Sequence, residues 1–410
     1  MRRVAWGVLL LFAFTIPWEF SLDLGEPLGS IARLAGLVLL LVAIPAILQA
    51  GRLRTPGAMQ WLVLALYLWF CCSYFWTIDQ PATLEKLRAY FQEMMIVWLV
   101  WEFAENPRDL RALLRAYVAG SWVLAALTLA NFASLEAIAA GQIRFAAEGQ
   151  DPNDVARFLD LGFPLAALLV NSESRWPGRL LALAYLPLGL VAVLLTASRG
   201  GFLAAVVALL GCGLLLIRSH AKGVVAVILV SPAIAAGLWF SVPHETFERL
   251  ATIPAQLHGG DLNQRLNIWS AGWQACAQSP VFGTGAGSFV SAAGLNALDT
   301  AHNTALSILA GGGLCALFLA VGIVVLAARS TMQTHGPLLV ALWTALLVWM
   351  VTSLVATVEE SRTTWLLLGL IALAGRLAVE EPERLAACFS GGDPGAEFEM
   401  VPRLSSRPAD

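Results

Sequence analysis

The sequence predicts an all-α polytopic membrane protein with about twelve transmembrane helices and one long outer loop containing interfacial helices. Three observations carry that reading. Of the 410 residues 58% are hydrophobic and only 13% charged, with a mean hydropathy of +0.73, so a water-soluble core could not hide the apolar surface. Apolar windows of roughly 17 to 25 residues, enough to cross the hydrocarbon layer as helices, follow one another along the chain. That pattern stops once, between Val242 and Asn303, where arginines, glycines and a histidine gather.

Taken in order, the windows fall near 4–20, 31–49, 58–76, 89–104, 112–133, 155–171, 180–197, 200–217, 223–241, 303–328, 337–358 and 363–378. Residues 1–378 therefore form one membrane unit. The tail 379–410, rich in Gly, Pro, Glu and Ser, reads as disordered and cytoplasmic. Nine of the 25 basic residues (Arg33, Lys86, Arg88, Arg144, Arg157, Arg199, Arg249, Arg265 and Arg362) fall on the side opposite the N-terminus, and the majority on the N-terminal side. The positive-inside tendency then puts both termini in the cytoplasm. It also leaves the nine outer cations in need of a reason. The six cysteines show neither metal-ligand nor redox spacing, so neither a metal nor a disulfide framework is expected, and nothing argues for nucleic acid.

Three outer segments carry further signals. Residues 77–88 read as a short interfacial helix with Pro81 in its first turn. Asp151-Pro152-Asn153-Asp154 reads as a turn that caps the helix beginning at Val155, with Arg144 upstream. In the long loop, Asp261 or Asn263 is expected to cap a helix to about Gln278, whose stripe of Leu262, Leu266, Trp269, Trp273 and Cys276 suits the headgroup level. Arg265 flanks that stripe.

The residues able to do chemistry are few. Arg199 stands between two apolar helices, where it serves either as a snorkelling contact to lipid phosphate or as a pyrophosphate clamp. Gly200-Gly201 favour the clamp by letting a headgroup approach. Arg265 has the same two readings. His302 stands at the mouth of a span beside Asn303, and a histidine is a side chain able to take a proton from an attacking hydroxyl. The run Gly283-x-Gly285-x-Gly287 either presents backbone N–H groups to a ligand or makes a tight turn back to the membrane. Lacking a preceding strand, it is not a dinucleotide fingerprint. Glu359 and Glu360 are expected to pair with Arg362.

Together these residues carry a resemblance. Asp151-Pro152-Asn153, Thr196-Ala197-Ser198-Arg199-Gly200, Arg265 with Trp269, Pro280 with the glycine run, and His302-Asn303 followed by small residues to Gly313-Leu314 resemble the O-antigen ligase family, which also embraces O-antigen polymerases. The motifs occupy residues 144–314. The resemblance implies an inner-membrane glycosyltransferase whose loop 242–302 faces the periplasm. It would move a glycan from an undecaprenyl-diphosphate carrier to lipid A–core or another glycan acceptor, without metal, nucleotide or other cofactor. It further implies catalytic roles for Arg199, Arg265 and His302: the two arginines hold the diphosphate and the histidine binds or deprotonates the acceptor hydroxyl. Asn303, Gly285, Gly287, Arg144 and Asn153 are expected to bind substrate. The chain departs from the family twice: Gly311 stands where the family commonly has a glutamate nine residues after the histidine, so no role is carried over for that carboxylate, and the arginine-x10-glycine pattern associated with some polymerases is missing, which tilts the reading toward ligase. A transporter or flippase of a polyanionic lipid is the alternative from another class. It would place its charges at mid-membrane.

Overall fold

A computed structural model describes all residues except 26–28, 135–140, 174, 220–236, 238–241, 297–299 and 391–410. Among the described residues the protein is helical throughout, apart from one isolated bridge between Asp23 and Ser30. The helices are α1 (Arg2–Thr15), α2 (Ile31–Ala50), α3 (Ala58–Ser73), α4 (Gln80–Phe103), α5 (Pro107–Phe132), α6 (Pro152–Ser172), α7 (Trp176–Leu195) and α8 (Arg199–Ser219). After the segment holding the expected span 223–241, which lies outside the described residues, come α9 (His244–Ala251), α10 (Ile253–Leu257), α11 (Arg265–Gln278), α12 (Phe289–Ala293), α13 (Thr304–Met332), α14 (Gly336–Ser353), α15 (Arg362–Glu380) and α16 (Pro382–Phe389).

Among the described residues eight helices, α2, α5–α8 and α13–α15, are long and apolar enough to cross a membrane. Of the other expected spans, α3 is apolar but has only 16 residues, α1 has 14, and α4 carries charged residues along its 24. The separate interfacial helix expected at 77–88 is instead the first part of α4, because Asp79 caps it by accepting from Ala82 N and no breaker follows Pro81. The start of the tail is corrected as well. Residues 379–380 end α15 and 382–389 form α16, which buries Leu385, Cys388 and Phe389 against the bundle, an apolar face that offsets the ordering of the chain.

Local chemistry sets the helix ends. Asn106 and Asp109 cap α5 reciprocally: Asn106 Oδ1 accepts from Arg108 N and Asp109 N, and Asp109 Oδ2 accepts from Asn106 N. Asp151 caps α6 with Pro152 at its first position, so the helix begins three residues before the expected Val155. Burial then sorts the helices. In their apolar windows α6 is 89% and α15 83% buried, while α2 is 28% buried and presents Leu41, Ile44 and Leu48 outward. α6 packs on α5, α7, α8 and α14, and α15 on α4 and α13. Small residues permit the close approaches, since a Cβ at Gly162 would collide with Tyr185 and one at Gly211 with Thr344.

The hairpin connections segregate. The N-terminus, the α2–α3, α4–α5, α6–α7 and α13–α14 turns and the end of α15 lie at what we call the terminal end, joined by contacts such as Arg2 with Glu102 and Arg111 with the carbonyls of Ser172 and Cys388. The described parts of the α1–α2, α3–α4, α5–α6, α7–α8 and α14–α15 connections and of residues 242–303 lie at the loop end, joined by Gln150 with Ser21, Ile78 N with Thr284 O, and Asn303 with Leu354 O.

Candidate active site at the loop end

The turn from α7 to α8 is the centre of the loop end. Thr196 Oγ1 donates to Val193 O (2.6 Å) and accepts from Ser198 N (3.2 Å), folding the chain so tightly that Ala197 takes φ +48°. Thr196, Ala197 and Ser198 are buried. Two arginines from elsewhere hold the turn: Arg144 Nε donates to Thr196 O (3.1 Å) and Arg249 Nε, from α9, to Ala197 O (3.0 Å). Asn153 Oδ1 accepts from both Arg144 Nη2 (2.9 Å) and Ser198 Oγ (2.8 Å). Arg144 and Asn153 thus brace the turn that presents Arg199. Gly200 and Gly201 do not open the site to a headgroup as expected. A Cβ at Gly201 would collide with Ala156 and one at Gly200 would sit 2.9 Å from Val355 Cγ2, so both serve helix packing.

Arg265 opens α11 after three consecutive left-handed residues, Leu262 (φ +50°), Asn263 (+60°) and Gln264 (+67°). Neither Asp261 nor Asn263 caps the helix; the N-cap position is Gln264, without a side-chain cap bond. Asn263 instead accepts from Arg199 Nη2 (3.1 Å), which ties the loop to the α7–α8 turn. The expected apolar stripe is split. Ile268, Gly272, Ala275 and Cys276 face inward, whereas Leu266 and Trp273 are exposed alongside Val281 and Phe282.

The charges at this end crowd one another. Burial, then the like charges of Arg249, Arg265 and Arg199, push the Arg144 pKa down against the opposing pull of Asp151. Burial and Arg199 push Arg249 and Arg265 in the same direction. A guanidinium stays protonated regardless, so the crowding appears as repulsion that an anion would relieve. Among the described residues no ion pair or hydrogen bond to the Arg265 guanidinium is formed.

His302 reaches the same region from the other side. Trp269, one turn beyond Arg265 on α11, donates its indole N–H to Ala301 O (3.0 Å), and His302 lies within electrostatic range of Asp154 in the first turn of α6. His302 takes φ +46°. The five non-glycine residues with positive φ among the described residues (Ala197, Leu262, Asn263, Gln264 and His302) all lie at or within three residues of Arg199, Arg265 or His302. Each such conformation costs about 1–3 kcal/mol and persists where surrounding structure imposes it, characteristically at functional sites. Asn303 has a fold role: its Oδ1 caps α13 by accepting from Leu306 N, and its Nδ2 donates to Leu354 O.

The N–H groups at and beside Gly285 are not free to cradle a ligand, because they bond to the protein. Thr284 N donates to Ala310 O (2.8 Å), Gly285 N to Gly311 O (3.0 Å) and Ala286 N to Ser73 Oγ (3.0 Å). A Cβ at Gly285 would collide with Thr77, and one at Gly287 would lie 2.7 Å from Ala82 O. The run docks residues 280–287 onto α13 where that helix breaks at Gly313 (φ +67°, ψ −166°), with Leu314 N returning to Pro280 O. Gly311 belongs to this docked pair of glycine runs. The acidic pair is also rearranged: Glu360 binds Lys86, and Arg362 binds the buried Glu19.

Sequence reasoning gave Arg249 no role, although it stands in the cluster. Its helix, His244–Ala251, is amphipathic, but amphipathicity does not tell which charge on the polar side faces a partner 52 residues away. The O-antigen ligase family model matches residues 184–321, so that part of the chain, from α7 to the middle of α13, is similar to the family. The match contains Arg199, Arg249, Arg265 and His302, and ends before the acidic pair. No curated protein matches the chain.

Proposed function

We propose that this protein is a glycosyltransferase of the O-antigen ligase type, moving a glycan from undecaprenyl diphosphate to a hydroxyl of lipid A–core. The observation that carries the reading is the set of guanidiniums at the loop end, where Arg199 and Arg144 crowd an Arg265 that forms no ion pair among the described residues. Arg199 and Arg265 bind the carrier diphosphate, matching planar donor forks to phosphate oxygens. As the anomeric C–O bond to the diphosphate breaks, negative charge grows on the leaving group and the fixed guanidiniums stabilise it. The acceptor oxygen forms the new C–O bond while its proton passes to His302, so a direct displacement inverts the anomeric centre. Arg144 and Asn153 act by holding the 196–199 turn.

With α1, α3, α4 and residues 223–241 added to the eight long apolar helices, the chain would cross the inner membrane twelve times. Both termini would be cytoplasmic and the loop end periplasmic, as the bias of basic residues favours. The cluster's position at one end of the bundle argues for transfer over transport, because a flippase needs its charges around a mid-membrane cavity.

The test is transfer in proteoliposomes containing a polyprenyl-diphosphate-linked glycan and lipid A–core, with a polymerase assay that supplies carrier-linked repeats as acceptor. Membrane-inserted Arg199→Ala, Arg265→Ala and His302→Ala should each lose transfer. Wild-type rates in these variants would remove the assignment. Transbilayer movement of the carrier without transfer would replace it with a flippase.

A further inference from the structure

A chamber of about 120 Å³ lies at the loop end beside His302, between α3, α4, residues 286–290, the start of α13 and the α14–α15 connection. Phe70, Tyr90 and Phe289 give it aromatic walls; each is more than nine-tenths buried, and the Phe70 and Tyr90 ring centroids are 5.0 Å apart. Lys86 and Glu360 form an ion pair on the wall, and Ser307 adds a hydroxyl.

Two polar groups there are unmet. Tyr90 is 4% exposed and its hydroxyl has no hydrogen-bond partner, yet that oxygen keeps accessible surface. It stands within electrostatic range of Glu360 on the same wall. Gly287, partly exposed, has an N–H without an acceptor among the described residues, whereas the N–H groups of Thr284, Gly285 and Ala286 are used by the fold. A buried phenol left unmet is expensive unless something in the chamber meets it.

The wall chemistry narrows the occupant. An anion is opposed by Glu360 and by the buried Glu359 behind it, and an apolar group would strand the ion pair and the phenol. The space holds several waters, and hence a sugar ring, whose hydroxyls donate and accept around its edge while its C–H faces pack on aromatic rings. Position narrows it further. Thr300 and Ala301 on the wall lead directly into His302. α11, which carries Arg265, packs on Phe289 and Ala301 through Ile268 and Cys276 without lining the chamber. In a direct displacement the acceptor enters opposite the leaving diphosphate, so a ring in the chamber is on the acceptor's side.

We propose that this chamber binds the sugar ring that bears the acceptor hydroxyl, with Tyr90, Glu360 and Lys86 bonding its other hydroxyls. The assignment rests on the glycan-transfer reading for its role, but binding of the ring can be measured without transfer.

Deacylated lipid A–core oligosaccharide is titrated calorimetrically onto the full chain in phosphatidylcholine nanodiscs, and KM values for acceptor and carrier-linked glycan are measured in proteoliposomes. The variants are Tyr90→Phe, which removes a hydroxyl the fold does not use, and Glu360→Gln, which still accepts from Lys86. Unfolding temperatures should match wild type. Oligosaccharide binding should weaken roughly fivefold in Tyr90→Phe, as for one neutral hydrogen bond, and roughly tenfold in Glu360→Gln, as for a charge-assisted one. The acceptor KM should rise alike, with the carrier KM unchanged. Oligosaccharide binding that the variants weaken, in a protein that transfers nothing, keeps the subsite and removes the glycosyltransferase reading. Transfer with the acceptor KM and oligosaccharide binding unaltered in both variants overturns the subsite, as does a wild type that binds no oligosaccharide. A rise in the carrier KM alone overturns the assignment to the acceptor. Should Glu360→Gln fail to fold, Tyr90→Phe decides alone.

Discussion

Both ends of the bundle are rich in arginine, and they use it differently. At the terminal end the guanidiniums are absorbed by the fold. Arg111 donates to Ser172 O and Cys388 O, Arg376 to Trp101 O and Ala104 O, and Arg2 to the carbonyl and carboxylate of Glu102. These close helix C-terminal carbonyls that would otherwise be unmet in a low-dielectric surround. At the loop end Arg144 and Arg249 do similar work on the 196–199 turn, but they do it beside Arg199 and Arg265, where like charges repel. An arginine cluster is therefore informative about function when its members oppose one another. A cluster whose members each cap a carbonyl is informative about the fold.

The sharpest way to break this comparison is Arg265→Ala. Transfer should fall by about 10²–10³, the range for removing one preorganised donor from a charge-stabilising site, while unfolding temperature stays level or rises as repulsion is relieved. A loss of stability comparable to that of a terminal-end arginine would erase the distinction.

Next in size is Gly313→Ala. The new Cβ would collide with Val281 O at a backbone angle that L residues avoid, so the variant should lose several kcal/mol, of order 3 or more, by strain and overpacking. Normal yield and unfolding would show that the docked break is not needed. Arg111→Ala should cost about 1–3 kcal/mol for the two carbonyls it orphans, with transfer per folded molecule unchanged. Reduced specific activity would mean that the terminal end is coupled to the site.

The smallest effect concerns pH. Burial, reinforced by Glu360 and opposed by Lys86, raises the Glu359 pKa above the carboxylate range, so the folded state holds a proton the unfolded chain has lost. Stability from this group is present at low pH and declines as pH climbs from the ordinary carboxylate value through the raised one. Melting curves across that interval should flatten in Glu359→Gln.

Much of the fold was legible because a backbone in hydrocarbon must satisfy itself as helix, so apolar length translates into elements. Caps at Asp151 and Asn303 follow from local chemistry. The candidate site was legible only in its charges. Arg199, Arg265 and His302 stood out as polar groups at the ends of apolar runs, but what holds them did not. The Asn153 hub joins residues 45 apart, and the partners of Gly285 sit on a later helix, so glycines that invite a ligand in sequence are filled by the chain itself. Glu19 with Arg362, 343 residues apart, shows the same limit.

The break at Gly313 has a mechanical consequence. Hydropathy counts α13 as one rod, yet Ala310 O and Gly311 O accept from the 284–285 segment, and Leu314 N returns to Pro280 O. The stretch from Thr304 to Gly312 is fastened to the 280–287 segment as well as to the rest of its own helix. A displacement of the loop would carry that stretch, and His302 at its head, as a single piece. Arg329 at the other end could stay still. The lever that moves the histidine is thus shorter than the helix that bears it.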